Sequence, residues 1–243
     1  MLNAAPLKSV IIGLLGFAAA EEQMLLAAAP AAEPGGPQRW PAVPLVAHNT
    51  EFKRQQVQRL QAVQRFLAPP EFGEIDHTSD ELYRGYAARP ADAVAADSRA
   101  VTGELIAGLN ATSADDLRDP SRHPWLRGRQ LWLQVIVRGF WHPAGHLGEY
   151  YLGHGQPDRA IALAAHGVVT AGYLGAPDPA RGMASYSLAC ALARAGRLDQ
   201  AAAALREAVT LNPDVRANAR RDPDLTAVRD SGRLEAALAP RSY

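Results

Sequence analysis

Apolar residues return at helical spacing through most of this chain. Leu7, Ile11, Leu14, Leu15, Ala18 and Leu25 share one face and predict a first helix running to near Ala29. Leu45, His48, Phe52, Val57, Leu60, Val63 and Leu67 recur every three to five residues, with Lys53, Arg54, Arg59 and Arg65 on the wet side. They predict a long second helix over 45–66. It is entered through the Pro- and Gly-rich stretch 30–44, where Pro41 or Pro44 suits a first helical turn, and ends at Ala68-Pro69-Pro70. Residues 71–78 are polar and irregular, and Ser79 or Asp80 caps a short helix around Leu82 and Tyr86. Past Pro90, Val94, Val101, Leu105 and Leu109 point inward from a third main helix over 91–109. Residues 115–124 read as a loop. The apolar run from Trp125 to Phe140 lacks strand alternation and a hairpin partner, so it reads as a fourth helix reaching about Gly153.

The last third changes character. Gly155-Gln-Pro-Asp-Arg-Ala-Ile-Ala-Leu aligns with Gly196-Arg-Leu-Asp-Gln-Ala-Ala-Ala-Ala, matching glycine, aspartate and two alanines at a period of 41 residues. Each copy reads as a helix ended by glycine, a short turn and an Ala-rich second helix. Such units stack to bury what one alone cannot. The second, over 185–213, looks like a tetratricopeptide repeat through Tyr186, Leu188, Ala189, Ala191, Gly196, Ala201, Leu205, Ala208 and Pro213. The first has a longer inter-repeat loop, 175–182. The tail from Asp214, with Arg221-Asp-Pro-Asp-Leu225, resembles a terminal cap of bacterial repeats. The fold class is therefore all-α: a helical bundle over 1–154 continuing into a short helical repeat region over 155–243.

Composition narrows the function. The 243 residues carry 25 basic and 25 acidic side chains, which excludes the basic surplus of a nucleic-acid binder or a polybasic membrane-surface protein. A single cysteine, Cys190, excludes an internal disulfide framework and a multi-cysteine zinc site. Alanine is about a fifth of the chain and only Lys8 and Lys53 are lysines, a composition associated with GC-rich bacterial genomes. The first helix also has the outline of a signal peptide, with Lys8 before an apolar run ending in Ala18-Ala19-Ala20. Two features favour a core helix: the single charge in front, and the apolar pattern resuming at Met24, Leu25 and Leu26. The unbroken apolar stretch is too short to span a membrane. A cytoplasmic protein is expected.

Among seven histidines, three stand out by placement. His142 and His146 are four residues apart, so a continuous helix puts both on one face, where they can hold one metal. His48 lies on the apolar face of the second helix, where an unsatisfied imidazole is costly. Two facing helices bring the three together, and three neutral imidazoles suit Zn²⁺, Ni²⁺ or Fe²⁺ with a position left for water or substrate. Pro143 intervenes: either the helix kinks there, aided by Gly139, or a new helix starts at Pro143 and His142 becomes a cap. Pro143 also occupies the place of the glutamate that a His-Glu-x-x-His peptidase needs, which argues against zinc-peptidase chemistry.

The order of these elements, a Trp40-initiated helix with inward His48 and a late helix with His142 and His146, resembles the DinB-like four-helix-bundle superfamily. The stretch Phe140–Leu152 (FWHPAGHLGEYYL) is similar to its ClbS-like branch, in which bacterial members run from the last bundle helix into tetratricopeptide-like units. The resemblance implies a divalent metal held by His48, His142 and His146. It implies thiol transfer or isomerisation with a low-molecular-weight thiol, or hydrolysis of a strained electrophile, the latter not always metal-dependent. Glu149, one turn beyond His146, is then a fourth ligand, a general base or a partner that orients an imidazole; otherwise it is a solvated glutamate or pairs with Arg138 or Arg159.

Trp132, Phe140, Trp141, Tyr150 and Tyr151 are expected as core or pocket lining, and Cys190 as a buried, inert thiol. His154 and His166 are expected to face solvent, and His77 and His123 to lie in polar loops bordering a pocket mouth. Three functions follow: a metal-dependent enzyme acting on an electrophilic small molecule in detoxification or self-resistance, an adaptor binding a protein through its repeats, or a bundle that sequesters a hydrophobic compound. A homodimer is compatible with each. The repeat is expected to act as a buttress for the bundle.

Overall fold

In the computed structural model, the described residues are 4–29, 33–36, 39–72 and 80–239. They form an all-α protein, with one isolated bridge between Gly36 and Arg39 among them. The chain divides into two compact units, residues 2–150 and 151–243.

The first unit contains α1 (Ala4–Ala28), α2 (Ala42–Gln64), α3 (Asp80–Ala87), α4 (Ala91–Ala111), α5 (Ala114–Arg118) and α6 (Leu131–Ile136), with α7 (His142–Gly153) running across the division. A π-helical turn, Val137–Trp141, joins α6 to α7 without a break in right-handed backbone. α1, α2, α4 and the rod from α6 into α7 pack together. Leu14, Leu15, Leu60, Leu105, Leu109, Leu131 and Phe140 fill the space between them. Each such side chain contributes about 1.5–3 kcal/mol by leaving water.

Several sequence expectations change here. α1 is the one described helix long and apolar enough to cross a membrane. Counting only the unbroken apolar stretch had excluded that. Its inward face carries Glu22, fully buried in an ion pair with Lys53 of α2, as in a packed helix. Lys53, expected on the wet side, is only 1% exposed; its Nζ donates to Glu22 Oε2 at 2.6 Å and to Thr102 Oγ1 at 3.4 Å. Arg59, also expected outside, is buried, whereas Leu67 is exposed because the chain leaves α2 through Phe66 at φ 57°. The fourth helix starts at Leu131 rather than Trp125, because Arg127 and Gly128 both take positive φ and break it. The stretch 115–124, read as a loop, holds most of α5, capped by Ser113 Oγ accepting from Asp116 N–H. Ser79 and His77 lie outside the described residues.

The second unit contains α8 (Pro157–Tyr173), α9 (Asp178–Arg194), α10 (Leu198–Leu211), α11 (Val215–Ala219), α12 (Thr226–Asp230) and α13 (Leu234–Leu238). Gly155 and Gly196, which set the repeat period, both adopt positive φ at the turns before α8 and α10. A side chain there would be strained. α9 begins at Asp178, so Gly182, expected in a loop, is helical. A Cβ on it would lie 2.6 Å from Asn212 Cβ and 2.9 Å from the Ala208 carbonyl oxygen, so glycine permits the close approach of α9 to α10. Tyr186, Leu192, Leu205 and Val209 form a core that Leu225, Val228, Leu234 and Leu238 of the tail complete. The tail therefore covers the repeat's apolar face, as a cap must.

Candidate metal centre

α2 starts at the Pro41 N-cap with no side-chain bond from that residue. Its first turn is satisfied from outside: the Ala42 N–H donates to Glu33 Oε2 at 2.9 Å. Negative charge suits a helix N-terminus. Tyr150 of α7 hydrogen-bonds the same carboxylate, and burial together with Glu33 raises its phenol well above the usual range. Glu33 thus ties the beginning of α2 to α7, and these are the helices that carry the three histidines.

The resulting geometry brings His48, His142 and His146 together. Their candidate ligand nitrogens all lie within 4.8 Å of one another. His142 Nε2 is 3.0 Å from His48 Nε2, and the His142 and His146 ring centroids are 4.5 Å apart. Two metal–nitrogen bonds of about 2.0–2.1 Å place their nitrogens about 3.0–3.4 Å apart, a spacing the His48–His142 pair has, so a triad holding a cation such as zinc is geometrically possible. The Pro143 alternatives resolve in favour of a shared face, since both histidines lie in α7. The π-helical turn just before them takes up one extra residue, and His142 N–H reaches back to the Val137 carbonyl. The widened turn accommodates the proline ring where an α-helical turn would meet it.

Aromatic rings surround the histidines. Trp40 stands edge-on to His48 at 5.1 Å, Tyr86 lies 6.0 Å from it, and Phe52 stacks on His142 at 3.7 Å. His48 is fully buried. Glu149 is exposed, and its Oε2 lies 3.2 Å from His146 Nδ1.

Below the histidines the bundle interior is unusually polar. Asn49 and Gln56 of α2 are fully buried, and neither amide has a hydrogen-bond partner among the described residues. Both flank the apolar stripe of α2, and polar residue type alone does not mark them as buried. Trp132, Phe140, Tyr150 and Tyr151 are buried as expected, and Trp141 is half-buried. His123 is buried rather than at a pocket mouth, with Nε2 2.9 Å from the Asp116 carbonyl oxygen. His166 is exposed and His154 half-buried.

In the second unit, Cys190 is half-buried, and burial beside Asp222 and Asp224 pushes its thiol far up. The thiol and these two carboxylates also lie within ligand range of one another. Asp222 already serves the fold: it accepts from Tyr186 Oη at 2.6 Å and caps the turn Pro223–Leu225.

Residues 183–215 match the tetratricopeptide repeat family, over α9, α10 and the turn into α11. No curated protein and no solved structure matches the chain. The second unit therefore contains a tetratricopeptide-like repeat within an all-α protein.

Proposed function

We propose that residues 2–150 form a DinB-like metalloenzyme of the ClbS-like kind, in which His48, His142 and His146 hold one divalent cation, Zn²⁺, Ni²⁺ or Fe²⁺. The single observation that carries this reading is the convergence of three imidazoles from α2 and α7 within 4.8 Å. When bound, such a cation supplies Lewis acidity that makes water or a thiol nucleophilic at neutral pH. The chain's own residues do the rest. Glu149 accepts from His146 Nδ1–H, which leaves Nε2 as the coordinating atom. Trp40, Phe52 and Tyr86 exclude bulk water around His48, which strengthens every polar interaction there. The substrate is an electrophilic small molecule, attacked by water or by a low-molecular-weight thiol, and the biological purpose is detoxification or self-resistance.

The test is consumption of chlorobimane by zinc-loaded protein, with and without added cysteine, beside the His142→Ala/His146→Ala variant. Turnover above the variant's background supports the enzyme reading, and equal rates oppose it.

One observation favours a second reading, in which the repeat at 183–215 binds a protein partner. Against it, the repeat's apolar face is covered by the tail. A single stoichiometric partner that loses binding on exposed-face substitutions in α9 would establish the adaptor role.

A further inference from the structure

Two guanidinium groups lie along the helices that carry the histidines, Arg59 buried and Arg138 half-buried, and neither has a carboxylate partner among the described residues. Arg59 is buried and stacks over Phe72 at 4.7 Å, and its Nη1 has no hydrogen-bond acceptor among the described residues. Arg138, in the π-helical turn, stacks over Phe52 at 4.6 Å and donates to Gln55 Oε1 at 3.0 Å. The two charges are near enough to repel. Burial and the neighbouring Arg138 lower the Arg59 guanidinium to about 10, and burial lowers Arg138 as well. Two neighbouring cations without a counter-charge among the described residues are unfavourable unless an anion joins them.

Their position relates them to the histidines. His48, Phe52, Gln55 and Arg59 recur along α2 at i, i+4, i+7 and i+11, one continuous face, with the unsatisfied amides of Asn49 and Gln56 alongside. On the facing rod, Arg138 precedes His142 by one turn. The same Phe52 ring carries both the Arg138 guanidinium and the stacked His142 imidazole. At a rise of about 1.5 Å per residue, Gln55 and Arg59 lie about 10 to 16 Å along α2 from His48. π-helical turns recur at functional sites because they re-aim side chains, and this one aims Arg138.

We propose that Arg59 and Arg138 form an oxyanion-binding site for a carboxylate or phosphoryl group, with the amide of Gln56 as a further donor. Guanidinium forks match both oxyanions in geometry. The small molecule handled by the histidine centre is therefore anionic, with its oxyanion held on the far side of Phe52 from His142. That assignment to the substrate rests on the metal-centre reading; the oxyanion site itself does not.

The experiment is calorimetric titration of metal-free protein with inorganic phosphate and with acetate at low ionic strength. Four proteins are compared: wild type, Arg59→Gln, Arg138→Gln and His142→Ala/His146→Ala, each checked for helicity by circular dichroism. The site predicts saturable binding by wild type, weakened at least about tenfold by either arginine substitution and retained by the histidine variant. Arg138→Lys, which keeps the charge, should fall between. The relative strength of phosphate and acetate identifies the preferred oxyanion. Absence of binding to wild type, arginine variants that bind as well as wild type, or binding lost only in the histidine variant would each overturn the site. A protein that binds the anion but no metal would overturn the metal centre and leave the oxyanion site standing.

Discussion

His146 turns Nδ1 to within 3.2 Å of Glu149 Oε2, one turn further along α7. As acceptor from Nδ1–H, the carboxylate would leave Nε2 of His146 for the cation that the three histidines are proposed to hold. Partners of this kind typically contribute 10- to 100-fold in metal affinity, so Glu149→Gln should weaken zinc binding by roughly that factor without changing helicity. Competition against a chromophoric chelator measures it, and an unchanged affinity would make Glu149 a solvated side chain.

Glu22 and Lys53 are both buried, and Ser98 Oγ donates to the same Glu22 oxygen at 2.7 Å. Removing only the ammonium strands a buried carboxylate. Lys53→Met should destabilise the protein by about 3–5 kcal/mol, and adding Glu22→Met should restore most of that. Urea unfolding of both variants tests the coupling, and additive losses would contradict it.

Gly139 lies inside the π-helical turn, where a Cβ would approach Leu15 Cδ2 to 2.2 Å and Leu105 Cδ2 to 3.2 Å. Gly139→Ala therefore overpacks the junction between α1 and the rod, at a cost of about 1–3 kcal/mol. Combined with Leu15→Ala, the loss should be smaller than the sum of the two single losses. Strict additivity in urea unfolding would show that the two positions do not meet.

Asp97 accepts from Arg54 at 2.6 Å and from Arg89 at 2.8 Å, tying α2 and the start of α4 together. Burial alone would raise this carboxyl, but the two guanidiniums outweigh it and hold it below its ordinary value. A depressed folded-state value means stability that is present above the unfolded value of about 3.9 and lost as pH falls through the folded one. Asp97→Asn should cost about 1 kcal/mol at pH 7, since both arginines are partly exposed. The difference should close only as pH falls below the ordinary carboxylate range, through the depressed folded value. A difference independent of pH would assign the effect to packing.

Much of this was legible from periodicity. The i, i+4 spacing of His142 and His146, and His48 on an apolar face, singled out the histidines that converge. The glycines at 155 and 196 marked turns that do take positive φ. What stayed hidden depends on partners distant in sequence. Lys53 and Arg59 follow a polar-outside rule until Glu22, Thr102 and Phe72 are known to face them. The π-helical turn has no residue-type signature, since the extra residue changes hydrogen bonding rather than pattern. Asn49 and Gln56 were passed over because buried, unsatisfied amides become visible only once the helices are packed.

The central claim, that His48, His142 and His146 hold a metal, is tested most directly by elemental mass spectrometry on protein purified without a histidine tag. The His142→Ala/His146→Ala variant is run beside it. The account predicts about one equivalent of zinc, nickel or iron per chain in the wild type and its loss in the variant. A folded wild type that carries no metal and takes up none when it is supplied would contradict it.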